Sequence, residues 1–215
     1  SSTYRQSSDI ADEAARLDPT GSLLSRMPLK RMEAEVLRDS LLLICGQLDE
    51  TPFGPADPVE ARADGLVTSQ RGKAGWRRSI YVLQRRTKIP TLLENFDFPQ
   101  MGPNCIQRGE SLVAPQALHL MNNEMIHQLA VYLAGNIQNT VGDDREQQIQ
   151  QIYLRTLGRE PDPEETRIGL ETLQLLEEKW NTQLKDKQTS STSVQKALSS
   201  YCHAIFNLAE FQYID

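Results

Sequence analysis

"CIQRGESLVAPQALHLMNN", residues 105–123, gathers Cys105, Arg108, Glu110 and His119 around Pro115. Residues of these types can do thiol chemistry, in which a cysteine nucleophile needs a base in hydrogen-bond reach and a third group to orient that base. Cys105 and His119 stand fourteen positions apart across a proline-bounded turn, so reach is allowed but not forced. The flanking signature of such enzymes is missing. The plainer reading makes Cys105 a small buried apolar residue and His119 a partly exposed helical one. Glu110 and Ser111 then simply suit the positive end of a helix. That reading is preferred, and no catalytic residue is assigned.

Other chemistry fares no better. Glu94, Asp97 and Glu110 could pair as general acid and base, but their spacing on loops fixes no geometry. His119 and His127 lie eight positions apart, about 12 Å along a continuous helix, and do not converge on one ion with His203. Cys45, Cys105 and Cys202 are widely separated, with no CxxC or CxxCH. They form neither a zinc site nor a covalent haem site, and no disulfide framework. No metal or cofactor is expected.

The stretch from Asp64 to Glu94 is less ordinary. It holds no acidic residue between those two, but it holds Arg71, Lys73, Arg77, Arg78, Arg85, Arg86 and Lys88, with Trp76 and Tyr81 among them. One expectation is a site for an anionic polymer such as a sulfated or carboxylated glycan, with Trp76 as a stacking platform. The competing expectation is that several of these arginines pair internally with Asp97, Glu94 or helix C-termini.

These residues must be held by a scaffold, and the chain writes one in helical periods. Its 215 residues are enough to bury a core, and 24% are charged against 39% hydrophobic. The net charge of −6 argues against a general binder of nucleic acid or anionic membrane. No apolar run approaches the roughly 20 residues of a membrane-spanning helix. Residues 1–27 read as loop and a short helix. A helix is expected from Pro28, with Leu37, Leu41, Ile44 and Leu48 inward and Arg31, Glu35, Arg38 and Asp39 mainly on the other faces. Residues 51–75, rich in proline and glycine, read as an irregular excursion. "RRSIYVLQRRTKIP" is ambiguous between a short strand and a helix.

The second half is clearer. Pro115 fits the first turn of a helix, Asn122-Asn123 interrupts it, and an asparagine there suits the cap of another with Ile126, Leu129, Ala130, Leu133 and Ile137 inward. Asp144 and Gln147 form a capping box before Ile149, Ile152, Tyr153 and Thr156, and Gly158 suits the left-handed exit. Asp162, Pro163 and Glu165 open the next helix, with Leu173, Leu176, Trp180 and Leu184. A polar linker at Lys185–Ser193 is the expected protease target. The last helix carries Val194, Leu198, Tyr201, Ile205 and Leu208. Trp180 and Tyr201 fall on apolar stripes and read as core. The expected fold is mainly α, an irregular multi-helix bundle with long loops and at most one short strand pair. Its parts are a loop-rich N-terminal portion, 1–140, and a three-helix C-terminal module, 141–215.

"YRQSS" (4–8), "AEVLRDSLL" (34–42), "RRSIY" (77–81), "FDFP" (96–99), "APQALHLMN" (114–122), "LGREPDPEE" (157–165) and "NLAEFQYID" (207–215) occur in this order. Together they resemble the planctomycete-specific C-terminal domain of unknown function 1553, found in large exported proteins. The resemblance implies no activity, cofactor or catalytic residue. It implies an extracytoplasmic setting and neighbours in the same polypeptide, a cytochrome-c-like domain and a second uncharacterised one, so the chain is expected to be part of something longer. Locally, "IYLRTLGREPDPEE" followed by "NLAEF" is similar to a small helical module of bacterial surface and secreted proteins. That likeness implies a structural pair, Arg159 with Glu210.

The leading expectation is therefore a non-catalytic interaction or scaffold domain. The alternatives are an anionic-polysaccharide binder using 71–88, and an accessory domain of a polysaccharide-degrading or redox system.

Overall fold

The computed structural model describes residues 5–9, 12–99, 105, 108–184 and 192–214. The elements run α1 (Asp12–Leu17), β1 (Lys30–Arg31), α2 (Ala34–Ile44), β2 (Leu48–Asp49), β3 (Val59–Ala61), β4 (Val67–Ser69) and β5 (Trp76–Arg77). After a 3₁₀ turn at Ser79–Tyr81 come α3 (Thr91–Asn95), α4 (Ala114–Asn122), α5 (Glu124–Val141), α6 (Arg145–Thr156) and α7 (Pro163–Leu184). The chain closes with α8 (Ser193–Phe206), α9 (Ala209–Gln212) and β6 (Tyr213–Ile214). Residues 185–191 of the polar linker lie outside the described residues.

The protein is mainly α, as the apolar stripes require. The caps stand where the side chains can reach. Asn123 accepts from the Met125 amide, Asp144 from Gln147, and Asp162 and Glu165 bond reciprocally at 2.7 and 2.8 Å. Gly158 leaves α6 with φ +72°, the left-handed geometry in which a side chain would be strained.

Strand pairing is more dispersed than the single pair expected. β1 pairs antiparallel with β6, β2 parallel with β5, and β3 antiparallel with β4. Only the last is a local hairpin. The others join residues distant in sequence, and two-residue strands are too short to show a period of two. The β1–β6 pairing also corrects the start of α2. Residues 30–31 are drawn into extended backbone against the chain's end, so the helix begins at Ala34 and not at Pro28.

One buried cluster runs through the bundle. It takes Leu37, Leu41 and Leu42 from α2, Ile126, Leu129, Leu133 and Ile137 from α5, and Ile149 and Ile152 from α6. Leu173 of α7 joins it, as do Leu198, Tyr201, Ile205 and Phe206 of α8. α8 packs on both α5 and α7, which ties the last third of the chain to the middle. Gly169 makes the approach of α7 close, since a Cβ there would stand 2.8 Å from Tyr201 Oη and 2.9 Å from Ile149 Cδ1. Trp180 is half-buried and its indole donates to Ser200 Oγ at 3.1 Å. Leu208 falls beyond α8 and is exposed.

Candidate functional site

The lead-in to α4 is knotted from both sides. Asp97 accepts the Ser111 amide at 2.8 Å, the Ser111 hydroxyl at 2.7 Å and Arg31 Nη2 at 2.6 Å. Gln116, one turn into α4, accepts Arg31 Nη1 at 2.7 Å and donates back to the Ser111 carbonyl at 3.1 Å. Burial would raise the Asp97 carboxyl, but the bonds from Ser111 and Arg31 outweigh it and hold the group below the usual carboxylate range. Arg108 grips Glu35 of α2 with two bonds, 2.7 and 2.9 Å, and approaches Glu33 at 3.2 Å. A cleft of about 310 Å³ opens here, lined by Lys30, Arg31, Glu33, Asp97, Arg108 and Glu110. Its three cations face its three carboxylates, with Lys30 4.0 Å from both Glu33 and Glu110. The acidic residues considered as an acid–base pair are thus taken by arginine and hydroxyl partners or, like Glu94, left exposed.

The thiol–imidazole pair resolves in the opposite sense to the burial expected. Cys105 is exposed, and His119 is buried. Asn95 Nδ2 approaches His119 Nδ1 at 3.2 Å, and His119 Nε2 is buried with no hydrogen-bond partner. Neither ring nitrogen therefore activates a thiol. Cys45 and Cys202 are buried, and desolvation pushes both thiols far up, the inert state of a core cysteine.

The basic stretch does not form one face. Trp76 is only 5% exposed, its indole donates to the Ser69 carbonyl, and the Arg71 guanidinium lies over its ring at 5.3 Å. It cannot be a stacking platform, because pairing of β5 with β2 turns it into the core. Arg77 is buried too, bonded to Asp57 at 2.9 Å and to the carbonyls of Phe53 and Pro55, with Tyr81 under its guanidinium at 4.6 Å. Arg71 donates to Gln47, and Arg78 pairs with Glu50 at 3.0 Å. Lys73, Arg85, Arg86 and Lys88 are exposed and outside every ion pair found among the described residues. Three of these occupy one tight turn, closed by the Lys88 amide donating to the Arg85 carbonyl at 2.9 Å.

Arg38 is the residue that sequence reasoning placed wrongly. It is 3% exposed, and its guanidinium donates to the Arg77 carbonyl at 3.0 Å, Ser79 Oγ at 3.2 Å and Ser69 Oγ at 2.9 Å. Asp39 beside it accepts the Ser79 amide at 2.9 Å and hydroxyl at 2.7 Å. This pair on α2 pins the whole 69–79 segment. The signal was there: Arg38 follows Leu37 and precedes Leu41 and Leu42 by three and four, inside the apolar arc.

Arg159 is a second hub. Its Nε and Nη2 donate to Glu210 at 2.6 and 2.9 Å, and Nη1 and Nη2 to Glu165 at 2.7 Å each, above the Tyr153 ring at 5.4 Å. The arginine bonds push Glu165 down to about 2. The contact clamps the end of α6 to the start of α7 and to α9. Finally, His203 Nε2 donates to the Leu120 carbonyl at 2.8 Å, and the His127 and His203 ring centroids are 4.2 Å apart. Among the described residues no group of three or more His, Cys, Asp or Glu could hold a metal ion, and no helix is long and apolar enough to cross a membrane.

Fold and site together define a mainly helical domain whose buried charges hold loops in place. A family model described as a protein of unknown function (DUF1553) matches residues 1–173, and the chain belongs to that family. No curated protein and no solved structure matches it.

Proposed function

We propose that this chain is a non-catalytic interaction domain of a larger exported polypeptide, and that it docks its covalent neighbours through the outer face of α4. The observation that carries this reading is an apolar stripe on the outer face of a helix that buries two polar side chains on its inner one. α4 turns Gln116, His119 and Leu120 inward and leaves Ala114, Ala117, Leu118 and Met121 outward. Those four fall at i, i+3, i+4 and i+7, the spacing of a single apolar stripe. Leu118 and Met121 are 56% and 54% exposed, and Leu112, just before the helix, is 83% exposed. A helix that buries an amide and an imidazole beside Leu120 while offering aliphatic side chains outward suits a second surface on that side. The occupants in this reading are the cytochrome-c-like and uncharacterised domains implied by the family resemblance, in an extracytoplasmic setting. A photo-cross-linking residue at position 118 of the full-length polypeptide should give adducts to residues outside the 215 described by this sequence. Adducts confined to these 215 would overturn the proposal.

A second reading is favoured by the turn at Arg85–Lys88, whose three cations are exposed and outside the ion pairs described. It suits an anionic polysaccharide held by charge alone, without an aromatic platform. Retention on a sulfated-polysaccharide column at about 0.15 M salt should fall for Arg85→Ala with Arg86→Ala. No retention of the wild-type chain would refute it.

A further inference from the structure

The sequence contains three histidines, and the fold brings all three to the junction of α4 with its neighbours. His119 lies beneath α4 against Asn95 of α3. The Asn95 amide donates to Nδ1, so the proton of the neutral ring sits on Nε2, where it is buried and meets no acceptor. A second proton would have to go on Nδ1, facing the amide N–H that now bonds there. His203 reaches from α8 to the carbonyl of Leu120, the residue after His119, so its Nε2 also carries the proton. His127 of α5 stands against the His203 ring at 4.2 Å. α4 is thus pinned to α3 by one imidazole and to α8 by another, and a third lies beside the second.

The Asn95 contact requires an unprotonated Nδ1, whereas the Leu120 carbonyl accepts from either state of His203, where burial and the neighbouring His127 are what disfavour charge. Burial holds His119 below the ordinary imidazole value, and no other group acts on it appreciably. Burial comes first for His203 too, opposed by the Leu120 carbonyl and reinforced by His127. Among the described residues no carboxylate acts on either ring. The Arg31–Asp97 pair is engaged at Gln116, one turn before His119, and the buried neighbours of His203 on its own helix, Tyr201 and Cys202, stay uncharged.

We infer that the three histidines form an acid-opened latch: in the imidazole range α4 lets go of α3 and α8 before α6 and α7 loosen. The direction follows from linkage. A ring held neutral in the docked state binds its proton more readily once α4 is free. The stabilisation is complete above the free-imidazole range, about pH 6.5, and is lost as pH falls below it. His127, beside the His203 ring, further disfavours charge there. This goes beyond the docking proposal and does not depend on it, because the latch acts whether or not the outer face of α4 is covered.

Hydrogen exchange on the 215-residue chain, corrected for intrinsic rates, tests the latch directly. Between about pH 7.5 and about pH 5.5, protection across residues 114–123 should fall by about tenfold or more, with α6 and α7 unchanged. His127→Gln, an exposed position, and His203→Gln, whose amide can still donate to the Leu120 carbonyl, should each shrink that fall. Equal α4 protection at both pH values would overturn the inference, as would an undiminished fall in both variants. Should a variant fail to fold, proton NMR titration of the wild-type histidines decides. His119 and His203 are expected to titrate below free imidazole, and midpoints at or above it would refute the latch.

Discussion

Replacing Arg38 with methionine is the sharpest test of how the long excursion is held. The substitution keeps most of the side-chain volume and removes the fork. Three charge-assisted bonds disappear, to the Arg77 carbonyl and to Ser79 and Ser69 Oγ, together with the 3.2 Å contact to Asp39. Hydrogen bonds from a charged donor are each worth about 1.5–3 kcal/mol, so the gross loss of three is about 4.5–9 kcal/mol. Against it stands relief from burying the guanidinium, an effective penalty of several kcal/mol, seen here as desolvation lowering the Arg38 pKa. Asp39 keeps both Ser79 bonds and is partly solvated, so it is not stranded as a fully buried charge would be. The net destabilisation is expected near 3 kcal/mol. For a chain of this size that lowers Tm by about 6–12 °C. Thermal and urea unfolding followed by circular dichroism would measure it. Exchange protection in β4 and β5 should fall more than in α5. Arg38→Lys should recover only part, because an ammonium cannot reach three separated acceptors. A loss below about 1 kcal/mol for the methionine variant, with 69–79 still protected, would refute the account.

The Arg159 hub should behave as a surface network. Glu210→Gln is expected to lower stability by less than about 1 kcal/mol in chemical denaturation, because both groups are over a third exposed. Glu165→Gln should cost more, about 1–2 kcal/mol, since that carboxylate also caps α7 through the Asp162 amide. With Glu165 folded at about 2, its contribution is present above the free-glutamate range near pH 4.3 and drains away as pH falls toward 2. A glutamine variant with an unchanged acid limb would contradict this. Gly75→Ala should destabilise by about 2 kcal/mol or more, because φ is +137° and a Cβ would run into the Gln47 carbonyl oxygen that accepts the Trp76 amide. An unchanged Tm would mean that β2 and β5 are not in this register.

What the sequence determined by itself is what lies within a turn or two of each residue. Asn123, Asp144 and Asp162 are caps because their side chains reach amides two or three positions on, whatever packs elsewhere. The inward faces of α5 and α6 were legible for the same reason, since a period of 3.6 turns a list of leucines and isoleucines into one side of a cylinder. The tertiary structure decided which polar groups are inside. Arg38 is buried because Ser69, Ser79 and a carbonyl happen to face it from more than thirty residues away, and no local pattern announces partners at that distance. Trp76 became core and not platform because β5 found β2. α4 carries Gln116 and His119 inward beside Leu120 because Arg31 bonds the amide and Asn95 meets Nδ1 of the imidazole, partners that no local pattern announces. Local signals are set by covalent geometry and survive in isolation. The cost of burying a charge or an amide depends wholly on what stands opposite, and only the folded chain supplies that partner.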